Sequence, residues 1–120
     1  MPKPKRAQAE PPARPAPGTE VRCPAEDLVG LLGGRWKVPI LWHLFGRDAR
    51  RFGELRRSLA ECTAKVLTQQ LRQMERDGLV RRKVYAEVPP RVEYSLTKLG
   101  KSVQPVVEAM CAWEKCRTRK

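Results

Sequence analysis

The clearest candidate chemistry in the sequence is a set of hydrogen-bond donors between residues 64 and 77. This donor row consists of Lys65, Gln69, Arg72 and Arg76, flanked by Thr68 and Gln73. Spacings of four, three and four residues bring the row onto one face of a helix. Such side chains reach base edges and phosphate oxygens, and no acidic residue interrupts them. An ordinary solvated helix face usually mixes both signs of charge, so the row favours a polyanionic partner over that alternative.

Two further groups of basic residues flank the donor row in the sequence. The group after it consists of Arg81, Arg82, Lys83 and Arg91, and the group before it consists of Arg50, Arg51, Arg56 and Arg57. Long basic side chains of this kind suit phosphates or the DNA minor groove. The alternative is that some of these arginines pair with Glu54, Glu61, Glu87 or Glu93. We expect both kinds of behaviour among them.

The cysteines and the histidine form no recognisable metal or catalytic motif. The cysteines are Cys23, Cys62, Cys111 and Cys116, and His43 is the one histidine. No C-x-x-C pair occurs, so a zinc site is not expected, and reduced thiols are typical of a cytosolic protein. The sequence also lacks a glycine-rich phosphate loop and a nucleophile motif. It therefore predicts no enzyme, no metal and no cofactor, and Glu93 is interpreted as an ion-pair partner rather than an acid catalyst.

The hydrophobic pattern predicts a mainly α-helical fold with one small β-hairpin. The predicted helices span residues 26–33, 35–46, 51–59, 64–77 and 98–116, and the predicted strands span 79–87 and 92–97. Leu67, Leu71 and Met74 form an apolar stripe opposite the donor row. Pro89 and Pro90 cannot continue a paired strand, so the hairpin is expected to turn there.

This order of elements is the layout of a winged helix-turn-helix. The third and fourth predicted helices are joined by a short turn, and a basic hairpin follows them as a wing. Such a unit inserts its second helix into the major groove of DNA. The residues predicted to contact double-stranded DNA are Thr63, Lys65, Thr68, Gln69, Arg72, Gln73, Arg76, Arg82, Lys83 and Arg91.

The last predicted helix carries an apolar seam that a domain of this size does not need for itself. The seam consists of Leu99, Val103, Val106, Met110 and Trp113, at the spacing of a coiled-coil contact. Burial against a second copy of the chain is one interpretation. The alternative is that the helix folds back onto the first two helices of its own chain.

Length and charge separate a tail from a folded body. The chain has 120 residues and a formal net charge of +12, and residues 1–22 hold six of its eleven prolines. This segment is predicted to be a disordered basic tail, with the folded domain at 23–120. No apolar run is long enough to span a membrane, and no secretory signal is expected. The charge indicates a nucleic-acid partner, and non-specific binding through the tail is the alternative function.

Eight short motifs in unbroken order carry a resemblance to a known family. They lie at 23–24 (CP), 31–36 (LLGGRW), 40–41 (IL), 51–55 (RFGEL), 65–72 (KVLTQQLR), 77–82 (DGLVRR), 89–97 (PPRVEYSLT) and 99–100 (LG). Residues 23 to about 114 closely resemble the HxlR-type bacterial transcription regulators, a branch of the winged-helix proteins related to the MarR group. Cys62 and Ala64 depart from the residues common in the family, which affects the expected operator preference and not the fold.

The resemblance implies a cytoplasmic homodimer that binds a pseudo-palindromic operator. Its first and last helices would form the interface, and the effector and the sign of regulation stay undetermined. The resemblance also makes Cys23 a candidate sensor of oxidants or electrophiles. A thiolate there would be favoured by the following helix N-terminus and by Arg22 or Arg35. The alternative is that Cys23 only packs.

Overall fold

Residues 22–119 of this computed structural model form six helices and three short strands. The helices are α1 (Glu26–Leu32), α2 (Lys37–Leu44), α3 (Phe52–Ser58), α4 (Ala64–Arg76), α5 (Lys98–Ser102) and α6 (Gln104–Thr118). The strands are β1 (Arg50–Arg51), β2 (Val80–Tyr85) and β3 (Arg91–Leu96). No helix in this part of the chain is long and apolar enough to cross a membrane. Apart from Arg22, the predicted tail lies outside the described residues, as does Lys120.

The strands form one antiparallel sheet in the order β1-β3-β2. β2 and β3 make the predicted hairpin, in register from Val80 opposite Leu96 to Tyr85 opposite Arg91. β1 adds a third strand that the sequence analysis missed, since two residues are too few to show an alternating pattern. The wing is therefore anchored on the segment that leads into α3.

The core lies where α2, α3 and α4 meet the sheet. Leu67, Leu71 and Met74 of α4 are fully buried, which confirms the predicted apolar stripe. They pack in one cluster with Leu41 of α2 and Leu55 of α3. Because α4 turns its apolar stripe to this cluster, its opposite face must point outward.

The predicted single helix at 98–116 is wrong. The chain forms α5 and then α6, with Val103 between them and Pro105 in the first turn of α6. Proline lacks the N–H that a continuous helix would need there, and its ring clashes with the carbonyl of the preceding turn. The apolar seam therefore does not continue along one helix face.

Candidate nucleic-acid interface

α4 begins at a side-chain cap. The Thr63 hydroxyl oxygen accepts a hydrogen bond of 3.1 Å from the backbone N–H of Val66. This satisfies one of the unpaired donors at the helix N-terminus. Since a hydroxyl also carries a hydrogen of its own, Thr63 keeps a donor for another partner.

The turn before α4 is fixed by buried and polar contacts. Cys62 is 1% exposed, and its backbone N–H donates to the Leu59 carbonyl at 2.8 Å. The Arg56 side chain donates to the Cys62 carbonyl at 3.4 Å. Burial raises the pKa of the Cys62 thiol, which keeps it protonated. Cys62 therefore packs in the turn that sets the angle between α3 and α4.

The structure brings the predicted donor row together on the outer face of α4. Lys65, Gln69, Arg72 and Arg76 are exposed, and so is the flanking Gln73, whereas Thr68 is half-buried. Lys65, Arg72 and Arg76 form no ion pair within 4.0 Å with any residue from 22 to 119. Their charges are thus free to meet a ligand.

A small groove connects the donor row to the wing. Its volume is about 290 Å³, and its lining residues are Phe52, Thr68, Arg72, Arg82, Val92 and Tyr94. Arg72 of α4 and Arg82 of β2 both line this groove, so the donor row and one arginine of the wing share one surface. Burial raises the pKa of the Tyr94 hydroxyl at the floor of this groove, so Tyr94 stays neutral.

The basic residues of the wing are not all equally free. Arg82 pairs with Glu75 of α4 at 3.5 Å between Nε and Oε1. Arg81 and Lys83 are exposed. The register puts them on the other face of the hairpin, because Arg81 and Lys83 alternate with Arg82 along β2. The Lys83 ammonium lies 4.9 Å from the Tyr85 ring centre.

Arg91 differs most from the sequence-based prediction. Its guanidinium lies 3.9 Å from the Tyr85 ring centre. Nη2 pairs with Glu87 at 3.1 Å and Nη1 pairs with Glu93 at 3.5 Å. The ion-pair alternative is confirmed for this arginine.

The basic cluster before α4 contains a structural arginine that the sequence pattern did not reveal. The side chain of Arg50 is 13% exposed. It donates to the His43 carbonyl at 3.1 Å and to the Ser58 hydroxyl at 3.0 Å, and pairs with Glu54 at 3.7 Å. Arg50 therefore ties α2 to α3 and does not meet a ligand, whereas its neighbours Arg51, Arg56 and Arg57 are exposed.

Cys23 is exposed, but its expected basic neighbours are engaged elsewhere. Arg22 pairs with Glu26 at 2.8 Å and with Asp27 at 3.0 Å. Arg35 pairs with Glu61 at 2.7 Å and stacks over Trp36 at 4.4 Å. All four cysteines are free thiols. The structure thus gives Cys23 solvent access, while the two arginines named for it in the sequence analysis pair with carboxylates.

Four of the five predicted dimer residues are exposed and one is buried. Val106, Met110 and Trp113 are 37%, 43% and 65% exposed and line a groove on α6 of about 1060 Å³. Leu99 is exposed on α5, outside that groove. Val103 is 8% exposed and belongs to the core of its own chain, which corrects its assignment to the seam. The break at Val103 rotates the seam, so that Val107 also faces the core.

Metal-ligating side chains do not converge anywhere in residues 22–119. No group of three or more His, Cys, Asp or Glu side chains there could hold a metal ion. The exposed donor row of α4, with the adjoining Arg82, is the basic surface that the candidate interface offers.

Comparison with known proteins agrees with this architecture. The sequence profile of the HxlR-like helix-turn-helix family matches residues 31–120. The HTH-type transcriptional regulator YdeP of Bacillus subtilis is 45% identical over 98 residues, which are 81% of this chain and 76% of YdeP. The reduced form of the redox regulator HypR has a TM-score of 0.75 and 42% identity, over 80% of this chain and 95% of HypR. The reduced form of the transcriptional regulator YodB from B. subtilis has a TM-score of 0.68 and 34% identity, over 78% and 91%.

The match is broad in sequence and in structure, and it covers the elements that carry the basic surface. The predicted winged helix-turn-helix fold is confirmed by the helices, the three-stranded sheet and these neighbours. The chain belongs to the HxlR-like helix-turn-helix family of transcriptional regulators.

Proposed function

We propose that this protein is a cytoplasmic, non-catalytic regulator that binds a pseudo-palindromic DNA operator as a homodimer. The observation that carries the proposal is the donor row, exposed on α4 with three cations free of ion pairs in the described chain. A row of one sign next to a basic wing has the charge of a phosphate-binding surface. The family and its curated relatives, which are transcriptional regulators, support the same function.

In this proposal α4 enters the major groove and reads base edges. Arg72 and Gln69 lie mid-row, where bidentate contacts to guanine and adenine are chemically suited to their side chains. The remaining proposed contacts are Thr63, Lys65, Thr68, Gln73, Arg76, Arg82 and Lys83. Arg91 is the exception in the predicted set, because its guanidinium is already held by two glutamates.

A second copy of the chain is the proposed occupant of the apolar groove on α6. Val106, Met110 and Trp113 leave a large apolar surface in water there, which favours burial in an interface. Two copies would present their α4 helices to half-sites about 34 Å apart, one turn of the duplex.

Charge reversal on α4 tests the DNA-binding proposal. An operator is first selected from random duplexes by the purified protein at stated salt. Lys65→Glu and Arg72→Glu are then expected to abolish the gel shift while sedimentation still reports a dimer. Arg47→Glu is the matched control, because Arg47 lines a separate pocket with Gln104 and Glu108. Unchanged operator binding by the α4 variants would refute the assignment of α4.

Thiol-dependent regulation through Cys23 is a second candidate function. The exposed thiol favours it, and so does the likeness to HypR, which is known as a redox regulator. Cys23→Ser is expected to remove any response of DNA binding to diamide. Cys116→Ser is the control, since Cys116 is also exposed. A response that persists in Cys23→Ser would exclude Cys23 as the sensor.

Non-specific binding through residues 1–22 is the competing function, and truncation separates the two. A shortened chain that keeps its preference for the selected operator supports reading by α4. A chain that loses most of its affinity for every duplex supports the tail instead. Salt dependence is informative in both cases, because six to ten phosphate contacts weaken affinity roughly a thousandfold or more between 50 and 200 mM salt.

A further inference from the structure

Arg91 sits at the centre of a cluster that the wing forms with its own side chains. It is the first residue of β3, directly opposite Tyr85, the last residue of β2. Its guanidinium stacks on the Tyr85 ring and pairs with Glu87 and Glu93. The cluster therefore joins the end of β2, the loop and the start of β3.

The two glutamates of this cluster would oppose DNA binding if they stood alone. Residues 80–96 contain four basic and two acidic side chains, and the acidic ones are Glu87 and Glu93. Glu87 is half exposed, on the loop that joins the strands. Carboxylates on a wing that lies along DNA would face phosphates, and like charges repel across an interface.

Arg91 is the shared ion-pair partner of both carboxylates. Glu93 shares its hairpin face with Lys83, opposite it on β2, and with Arg51, opposite it on β1. Among residues 22–119, however, only Arg91 lies within ion-pair distance of Glu93. Arg91 also pairs with Glu87. The Arg91 side chain is 26% exposed, less than the 44% of Arg82. An arginine bound on two sides and stacked on a third has little left to offer a phosphate.

We propose that Arg91 is a positioning residue of the wing: it holds Glu87 and Glu93, offsets one of their two negative charges, and contacts no DNA itself. This inference rests on the proposed function, because it concerns how the wing meets a duplex. It predicts that the contribution of Arg91 to binding disappears once the two glutamates are neutral. If Arg91 contacted a phosphate directly, its loss would weaken binding whether or not the two glutamates are neutral.

The test measures operator affinity and its salt dependence for Arg91→Met, for E87Q/E93Q and for the triple variant. Methionine lacks the charge but still packs on an aromatic ring. Arg91→Met is expected to weaken binding about tenfold, through unshielded carboxylates beside phosphates. The triple variant is expected within about threefold of the parent, with an unchanged slope of log K against log salt.

Arg81 provides the matched control, because it is exposed and forms no ion pair with residues 22–119. Arg81 is outside the proposed contacts but belongs to the basic group of the wing, so Arg81→Met is expected to lower the slope of log K against log salt by at most about 0.9, the value for one phosphate contact. E87Q/E93Q should restore Arg81→Met much less than it restores Arg91→Met. Equal rescue of both variants would show a general charge effect and overturn the proposal. The proposal would also be overturned if the triple variant still bound the operator weakly and its slope of log K against log salt were lowered.

Hydrogen exchange of the free protein separates this inference from the proposed function. Arg91→Met is expected to raise exchange of the wing amides at 85–88 and 91, whereas Arg81→Met leaves them unchanged. Unchanged exchange in Arg91→Met would contradict its positioning role even if the protein binds DNA. Absence of DNA binding in the parent chain would overturn the proposed function and this inference about the interface with it, whatever the exchange data show.

Discussion

α4 and the wing are both basic, but they are held in place by different means. α4 is held by Leu67, Leu71 and Met74, which are fully buried. Its cations are therefore not needed to keep the helix in place. The wing buries little of β2, and two of its three arginines, Arg82 and Arg91, pair with carboxylates. The cations of α4 are therefore all free of ion pairs within residues 22–119, whereas the basic residues of the wing differ from one another. Counting positive charges in the sequence does not make this distinction.

The largest effect is expected where the packing of α4 is removed. Leu71→Ala deletes a fully buried side chain and is expected to lower the free energy of unfolding by about 2–5 kcal/mol. Urea unfolding at fixed protein concentration measures this loss. Tyr85→Ala in the wing is the comparison and should cost less than about 1 kcal/mol. A larger loss from Tyr85→Ala than from Leu71→Ala would reverse the contrast between the two regions.

A smaller loss is expected at the start of α4. Thr63→Ala removes the side-chain cap and should destabilise the fold by about 1 kcal/mol. Thr63→Ser keeps the hydroxyl and is expected to retain most of the stability. The midpoint of urea unfolding distinguishes them, and equal midpoints for Ala and Ser would show that the cap contributes nothing.

The two faces of α4 were predictable from the sequence, whereas the break in the helix predicted at 98–116 was not. The stripe of Leu67, Leu71 and Met74 and the opposite donor row follow from helical periodicity, and the structure confirms the stripe's burial and the row's exposure. The single helix predicted at 98–116 rested on apolar spacing alone and took no account of Pro105, which stands in the first turn of α6. The break moves Val103 into the core and leaves Leu99 outside the groove on α6, whereas Val106, Met110 and Trp113 keep the shared face that their spacing predicts.

The role of a basic side chain in the wing could be foreseen only as a set of alternatives. Glu87 and Glu93 were recognised as ion-pair partners, and Arg91 is near both in the sequence. Lys83 and Arg51 also lie opposite Glu93 in the sheet, so the choice among these cations depends on side-chain distances. Arg50 shows the same limit, because its partners His43 and Ser58 come from two different helices. Side-chain partners across elements depend on tertiary distances that no single segment encodes.

Breaking the ion pair between Glu75 of α4 and Arg82 of the wing is expected to strengthen a property rather than weaken it, namely operator binding. Glu75→Gln releases Arg82 and is expected to tighten operator binding about two- to fivefold, since an exposed pair contributes less than about 1 kcal/mol. Asp77→Asn makes the same change of charge at a carboxylate that forms no ion pair within residues 22–119. Equal tightening by both variants in anisotropy titrations would attribute the gain to net charge rather than to Arg82.

The smallest effect is expected from acid at the N-terminus of α3. The hydrogen bond from the Arg51 backbone N–H lowers the pKa of Glu54 below the ordinary glutamate value of about 4.3. A lowered folded-state pKa gives stability that is present above the unfolded value and is lost as pH falls through the folded one. Unfolding midpoints at pH 7 and pH 3 should therefore differ less in Glu54→Gln than in the parent. An equal difference would remove Glu54 from the acid response, and Glu108→Gln is the control.

The specificity ratio tests the central claim most directly. The ratio compares affinity for the selected operator with affinity for a scrambled duplex of the same length, at one salt concentration. With Gln69→Ala and Arg72→Ala combined, the ratio is predicted to fall towards one, while the dimer and the fold persist. An unchanged ratio in that variant would contradict the claim that the exposed face of α4 reads the DNA sequence.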